Sequence, residues 1–171
     1  MPAMRHIALI TTGGTIEKTY DEATGSLGNT RSIVDRMLRR LRLADTAINV
    51  IELMSKDSLY MTDDDRKTIA EAVEAVLRTQ PTGIVILHGT DTLELTGKAL
   101  HERFAATAAP IILTGAMRPY EMVRSDALQN LTEAVFAAGV LKPGVYCVAH
   151  GRALAFPNVT KDRAKGTFTE K

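Results

Sequence analysis

With 171 residues, 45% of them hydrophobic and 24% charged, the chain has the size and balance of a single packed domain, which excludes a disordered or fibrous one. A net charge of +1 excludes a broad basic field for nucleic acid, and the one locally basic run, Arg36 to Arg42, reads as the solvated face of a helix. The lone cysteine, Cys147, excludes an intrachain disulfide or a multi-cysteine metal site, and no apolar run is long enough for a signal peptide or a membrane span, so a cytoplasmic protein is expected.

In chain order, His6 to Thr11 reads as the first strand. Glu17 to Thr30, with Gly25, Gly28 and many polar residues, reads as a mobile loop or a loose hairpin of the length that often forms a lid. Ser32 is placed to cap a helix through Leu43, and Ala47 to Leu53 forms a second strand. Thr62, followed by Asp63, Asp64 and Asp65, opens a helix whose apolar residues are Ile69, Val73, Val76 and Leu77. A strand at Gly83 to His88, a helix at Leu93 to Phe104, a strand at Pro110 to Thr114, a helix at Ser125 to Ala138 and a strand at Gly144 to Ala149 follow. Cys147 lies inside the last of these and reads as strand core. Arg152 to Lys171 is polar and irregular, and no further helix or strand is predicted there. Most of the strands are rich in Ile and Val without strict alternation, as buried parallel strands are. Their alternation with helices predicts an α/β fold: one domain with an open, largely parallel sheet and helices on both faces, Rossmann- or flavodoxin-like.

Two turns carry hydroxyls where strands end. Thr12-Gly13-Gly14-Thr15 follows Ile7 to Ile10, and His88-Gly89-Thr90-Asp91-Thr92 follows Ile84 to Leu87. Ligands of open parallel sheets bind beyond the carboxyl ends of the strands, so both turns can face one crevice. Hydroxyls, a carboxylate and exposed amides there suit acyl transfer. Each turn also has a plainer reading. The first serves equally as a glycine turn or a phosphate cradle, although no Walker lysine pattern or three-glycine dinucleotide fingerprint is present. In the second, Asp91 with Glu94 three residues on has the spacing of a helix capping box, and His88 is either a base or a structural strand-end histidine.

Together with Thr12 to Ile16 and Leu87 to Thr92, the segments Gly115-Ala116-Met117-Arg118-Pro119 and Ser125-Asp126 to Asn130-Leu131 resemble, in order, the bacterial-type L-asparaginase and glutaminase-asparaginase family. The resemblance covers nearly the whole chain. It implies a short-chain form, or the excised large domain, without the C-terminal small domain usual in the family. It also implies Thr15 as the nucleophile, Tyr20 as an assisting base, and Thr90, Asp91 and Lys161, the last in Asn158-Val159-Thr160-Lys161, as a second catalytic set. Lys56 to Thr62 is similar to the family's substrate-binding stretch, with Ser58 on the substrate α-carboxylate and Ser55 as an alternative register. Leu59 and Tyr60 depart from the polar or acidic residues usual there. By the same resemblance Asp91 pairs with the substrate ammonium, the turns at Gly14 and Gly89 offer N–H groups to the amide oxygen, and the Ala116 carbonyl orients a water or the leaving ammonia.

The activity so implied is hydrolysis of L-asparagine to L-aspartate and ammonia through an ester on Thr15, with L-glutamine as a weaker second substrate. A threonine hydroxyl needs a proton acceptor, and Tyr20 and the Thr90–Lys161 pair are the two candidates. No metal or cofactor is expected, since N–H groups suffice for the oxyanion. The expected partners are the small-molecule substrate and further copies of the chain, as a dimer or tetramer covering the exposed crevice, with neither nucleic acid nor membrane. Two rival functions fit the same residues: an amidotransferase-type subunit generating ammonia for a partner enzyme, and a non-catalytic amino-acid- or nucleotide-binding module.

Overall fold

Ile- and Val-rich segments become strands here because both faces of the sheet are covered. The structure, a computed structural model, describes residues 3–171. Its elements in chain order are β1 (Arg5–Gly13), a hairpin of β2 (Thr19–Asp21) and β3 (Ser26–Gly28), α1 (Val34–Leu38), β4 (Thr46–Lys56) and α2 (Asp63–Leu77). Next come β5 (Gly83–Leu87), α3 (Leu93–Arg103), β6 (Pro110–Thr114), α4 (Ala127–Val140) and β7 (Gly144–Ala149). The chain ends in β8 (Arg152–Ala155), β9 (Val159–Asp162) and β10 (Thr167–Glu170). The main sheet runs β4-β1-β5-β6-β7-β8, parallel throughout except for β8, which lies antiparallel on β7.

Successive residues of each buried strand serve opposite faces, as a period of two requires. Ile84 and Ile86 join the layer under α2 and α3, which includes Ile69, Val73, Leu93 and Leu100. Val85 and Leu87 join the layer under α1 and α4, with Met37, Leu131 and Val135. Cys147 is 1% exposed, and burial pushes its thiol up to about 12, so it is core. The α2 start is a reciprocal capping box: Thr62 Oγ1 accepts the Asp65 amide at 3.2 Å, and Asp65 Oδ2 accepts the Thr62 amide at 2.9 Å.

The strand order reverses at β1 and β5. From β1 the chain crosses to β4 on one side; from β4 it returns past β1 to β5 on the other, so the loops after β1 and β5 flank a topological switch point.

Four expectations from the sequence are corrected. The helix after Ser32 ends at Leu38 rather than Leu43, so of the basic run only Arg36 is helical. Ser32 directs its hydroxyl to the buried Glu17 carboxylate and is only a long acceptor, at 3.3 Å, for the Val34 amide, while Ile33 occupies the cap position. Asp91 caps nothing: Thr92 precedes α3 without a side-chain cap, because Asp91 is engaged by cations from the chain's end. The segment from Arg152 to Lys171 is not irregular but forms β8, β9 and β10, anchored by Phe156, Val159 and Phe168, each at most 5% exposed. Phe156 ends the short apolar run Ala153-Leu154-Ala155, and Val159 and Phe168 stand singly among polar residues, which makes too sparse a signal for sequence pattern alone. The stretch Glu17 to Thr30 takes the hairpin alternative, with β2 pairing β3.

Candidate active site

Glycine brings the two threonine turns into backbone contact. A methyl group added to Gly14, which has φ +81, would lie 2.4 Å from the Gly89 amide nitrogen, and one added to Gly89 would lie 2.4 Å from Ser58 Oγ. A third strand end joins them, since a methyl on Gly115 would come within 2.3 Å of the His88 carbonyl and 3.1 Å of Thr90 Cγ2. The predicted residues Gly14, Ser58, Gly89 and Thr90 are therefore packed together, with Ala116 buried just beyond Gly115.

The second turn is held from several directions. Lys161, carried back over the sheet by β9, donates to Thr90 Oγ1 at 2.7 Å and to Asp91 Oδ1 at 2.9 Å. Arg163 donates to the same Asp91 oxygen at 2.8 Å. Burial alone would raise the Asp91 carboxyl, but the hydrogen bonds from Lys161 and Arg163 hold it below its ordinary range. The β9–β10 hairpin is docked on α3 by Thr160, which donates to Glu94 at 2.6 Å. Beneath the turn, His88 is wholly buried: Nδ1 donates to the Gly89 carbonyl and Nε2 accepts from Thr96, each at 2.7 Å. Burial drives its pKa down to about 4 and keeps it neutral, which favours the structural reading of this histidine over the base. Among the described residues, no acceptor takes the amide N–H of Gly89 or of Thr90.

The first turn is held at its backbone and open at its hydroxyl. Glu17, 1% exposed, accepts the Gly13 and Ile33 amides at 3.2 Å and the Ser32 hydroxyl, and Asn29 donates to the Gly14 carbonyl at 2.9 Å. Burial raises the Glu17 carboxyl above its ordinary value, outweighing those three hydrogen bonds. Thr15 opens a single turn of 3-10 helix, and among the described residues its hydroxyl has no hydrogen bond. Tyr20 is not joined to it. Its ring stands 57% exposed on the hairpin, its hydroxyl near Gly25, and its amide donates to Glu121.

Ser58 is 1% exposed under Gly89; its hydroxyl accepts the Thr92 amide at 3.3 Å and its carbonyl accepts the Thr92 hydroxyl at 2.8 Å. Leu59 points outward, 61% exposed, and Ser55 has a buried hydroxyl with no partner among the described residues; the residue stands between a cavity it shares with Thr11 and one it shares with Lys56 and Asp57. A cavity of about 550 Å³ lined by Lys18, Asn29, Lys56, Asp57 and Tyr60 borders this floor. Arg163 and Glu17 were missed by sequence reasoning. Arg163 left a faint signal, a second cation two residues beyond Lys161; Glu17 left none, because a glutamate in a polar loop reads as solvated.

The model of one family, "Asparaginase, N-terminal", matches residues 6–169, the span that carries this small-residue cradle and the lysine bonded to both a threonine and an aspartate. The chain belongs to the asparaginase family. The L-asparaginase of Thermococcus kodakarensis superposes with a TM-score of 0.86 at 30% identity, over 96% of this chain and 51% of its own. L-asparaginase I of Vibrio cholerae gives 0.82 at 28% identity, over 98% of this chain and 52% of its own. A glutamyl-tRNA(Gln) amidotransferase subunit of Methanococcus vannielii is 34% identical over 158 residues, 88% of this chain and 35% of that protein. The asparaginase-family chain thus spans about a third of the curated relatives' length and about half of the solved structures'.

Proposed function

We propose that this asparaginase-family chain hydrolyses the side-chain amide of L-asparagine, with L-glutamine as a weaker substrate, through an ester on Thr15. The observation that carries the reading is the convergence of the Thr15 and Thr90 turns on one floor, with Lys161 bonded to both Thr90 and Asp91. Thr15 Oγ attacks the amide carbon, its proton passes through the assisting base to the departing nitrogen, and the C–N bond breaks to release ammonia. The Gly89 and Thr90 amides stabilise the oxyanion. A water oriented by Thr90 then cleaves the ester, releasing aspartate and restoring the Thr15 hydroxyl. The base for the first step is Tyr20 once the hairpin closes on Thr15. Lys161 keeps Thr90 aligned, and the Asp91 carboxylate answers the substrate ammonium. Ser58 supports the carboxylate end of the substrate beside Gly89, and the Ala116 carbonyl faces the leaving ammonia.

We further propose a cytoplasmic homo-oligomer. No helix among the described residues is long and apolar enough to cross a membrane, and one structural neighbour is described as a probable cytoplasmic L-asparaginase from Campylobacter jejuni. A second reading is favoured by the relatives named as glutamyl-tRNA(Gln) amidotransferase subunits: ammonia released at this site would then serve a partner enzyme. Ammonia release from asparagine and glutamine by the purified chain separates the two. Robust turnover alone, abolished in Thr15→Ala, is expected; turnover appearing only on addition of a partner protein would favour the second reading.

A further inference from the structure

We propose that His150 is a positioning residue that couples two walls of the site, the loop Gly115–Arg118 and the hairpin bearing Lys161. His150 Nε2 lies 2.6 Å from Asp126 Oδ2 and Nδ1 lies 2.8 Å from Thr167 Oγ1. Asp126 accepts the amides of Met117 and Arg118 at 3.0 Å, so one end of the bridge holds the loop that abuts Thr90. Thr167 lies opposite Asp162 in the β9–β10 hairpin, and its neighbour Phe168 lies opposite Lys161, so the other end holds the strand that delivers the lysine.

The donors and acceptors close into a directional chain. Arg152 donates to Thr167 Oγ1 at 3.1 Å. In the neutral tautomer with the proton on Nε2, the Thr167 hydroxyl donates to Nδ1 and Nε2–H donates to Asp126, leaving no ring nitrogen unused. Asn130, 1% exposed, ties the same place at the backbone: its Oδ1 accepts the His150 amide at 3.1 Å and its Nδ2 donates to the Gly115 carbonyl at 2.8 Å. His150 has φ +52, in the left-handed region that is uncommon for a non-glycine residue. It sits at the turn between β7 and β8, followed by Gly151 at φ +76. A lateral shift of either wall would displace Thr90 or Lys161 from the other, and a misplacement of about 1 Å far from the chemistry can cost about a hundredfold in rate.

The inference rests on the amidohydrolase reading for its kinetic consequence but not for its structural one. Asparagine tolerates positive φ yet is too short to span Asp126 and Thr167, so His150→Asn removes the bridge while keeping the backbone. Glutamine presents a donor and an acceptor with a spacing like that of the imidazole nitrogens, so His150→Gln restores both bonds. His150→Asn is expected to lower kcat by about ten- to a hundredfold with little change in KM, and His150→Gln to recover most of it. Hydrogen exchange should show the Met117 and Arg118 amides and the β9–β10 amides losing protection together in His150→Asn and regaining it in His150→Gln. If His150→Asn matched the wild type in kcat and in exchange at both segments, the coupling would be overturned while a Thr15→Ala loss left the amidohydrolase reading intact. If the wild type released no ammonia, that reading would fail and exchange alone would decide the coupling: joint loss supports it, loss at one segment or neither refutes it.

Discussion

The two threonine turns meet at one floor but are built to different degrees. Thr90 is assembled: its hydroxyl is bonded to Lys161, its neighbour Asp91 to two cations, and its backbone rests on a neutral, buried His88. Thr15 is waiting: the two glycines before it are fixed by Glu17 and Asn29, while its hydroxyl has no hydrogen bond among the described residues and Tyr20 stands in solvent on a two-strand hairpin. The contrast teaches where the conformational work of the proposed reaction falls. The half that receives water and substrate charge is preorganised by strand ends, and the half that makes the covalent bond depends on a segment with few buried contacts, which is the kind that moves.

The largest effect should come from the hydroxyls themselves. Thr15→Ala and Thr90→Ala should each lower turnover by more than about a thousandfold, as members of a coupled catalytic unit do. Stability separates them: Thr90→Ala loses a bond to a charged group and should lower unfolding stability by ~1.5–3 kcal/mol, whereas Thr15→Ala should leave it unchanged in urea melts. Retention of more than about a tenth of the activity in Thr15→Ala would sink the nucleophile assignment.

Tyr20→Phe tests the waiting half. The lost phenol should reduce kcat by about a hundredfold or more, with KM and melting temperature nearly unchanged because the ring is 57% exposed. Unchanged turnover would transfer the base role to Lys161.

The assembled half should carry a pH signature. His88 is neutral and buried with a pKa pushed down to about 4 from 6.5, so between those values the unfolded chain binds the extra proton. Stability is therefore fully present above pH 6.5 and declines as the pH falls toward 4, with a slope of up to ~1.4 kcal/mol per pH unit. Urea midpoints measured across that range should flatten in His88→Gln; an unchanged slope would place the titration elsewhere.

The smallest effect concerns Arg163. Its guanidinium, 68% exposed, competes for the Asp91 oxygen proposed to meet the substrate ammonium. Arg163→Ala should lower KM for asparagine by about two- to fivefold, the scale of an exposed ion pair, and leave kcat unchanged. A rise in KM would mean that Arg163 contributes to substrate binding instead.

Much of the parallel sheet was legible along the chain, because strands buried on both faces must be apolar throughout and the helices between them keep their own period: Ile84 to Leu87 and Ile111 to Leu113 have no other plausible place. Thr62 and its three aspartates likewise announce a helix start that needs no tertiary partner. Motif order was enough to name Thr15, Thr90, Asp91 and Lys161 as candidates. Only the tertiary structure decided that Asp91 faces Lys161 and Arg163 rather than capping α3, since a cap is a local contact and the two cations arrive from 70 and 72 residues away. The same is true of the chain's last strands, short in β8 and mostly polar in β9 and β10, which carry little signal until Phe156, Val159 and Phe168 find a core already formed by the parallel sheet. Local pattern specifies what a segment can be; long-range packing selects which polar groups meet, because an ion pair or a shared carboxylate has no period to read.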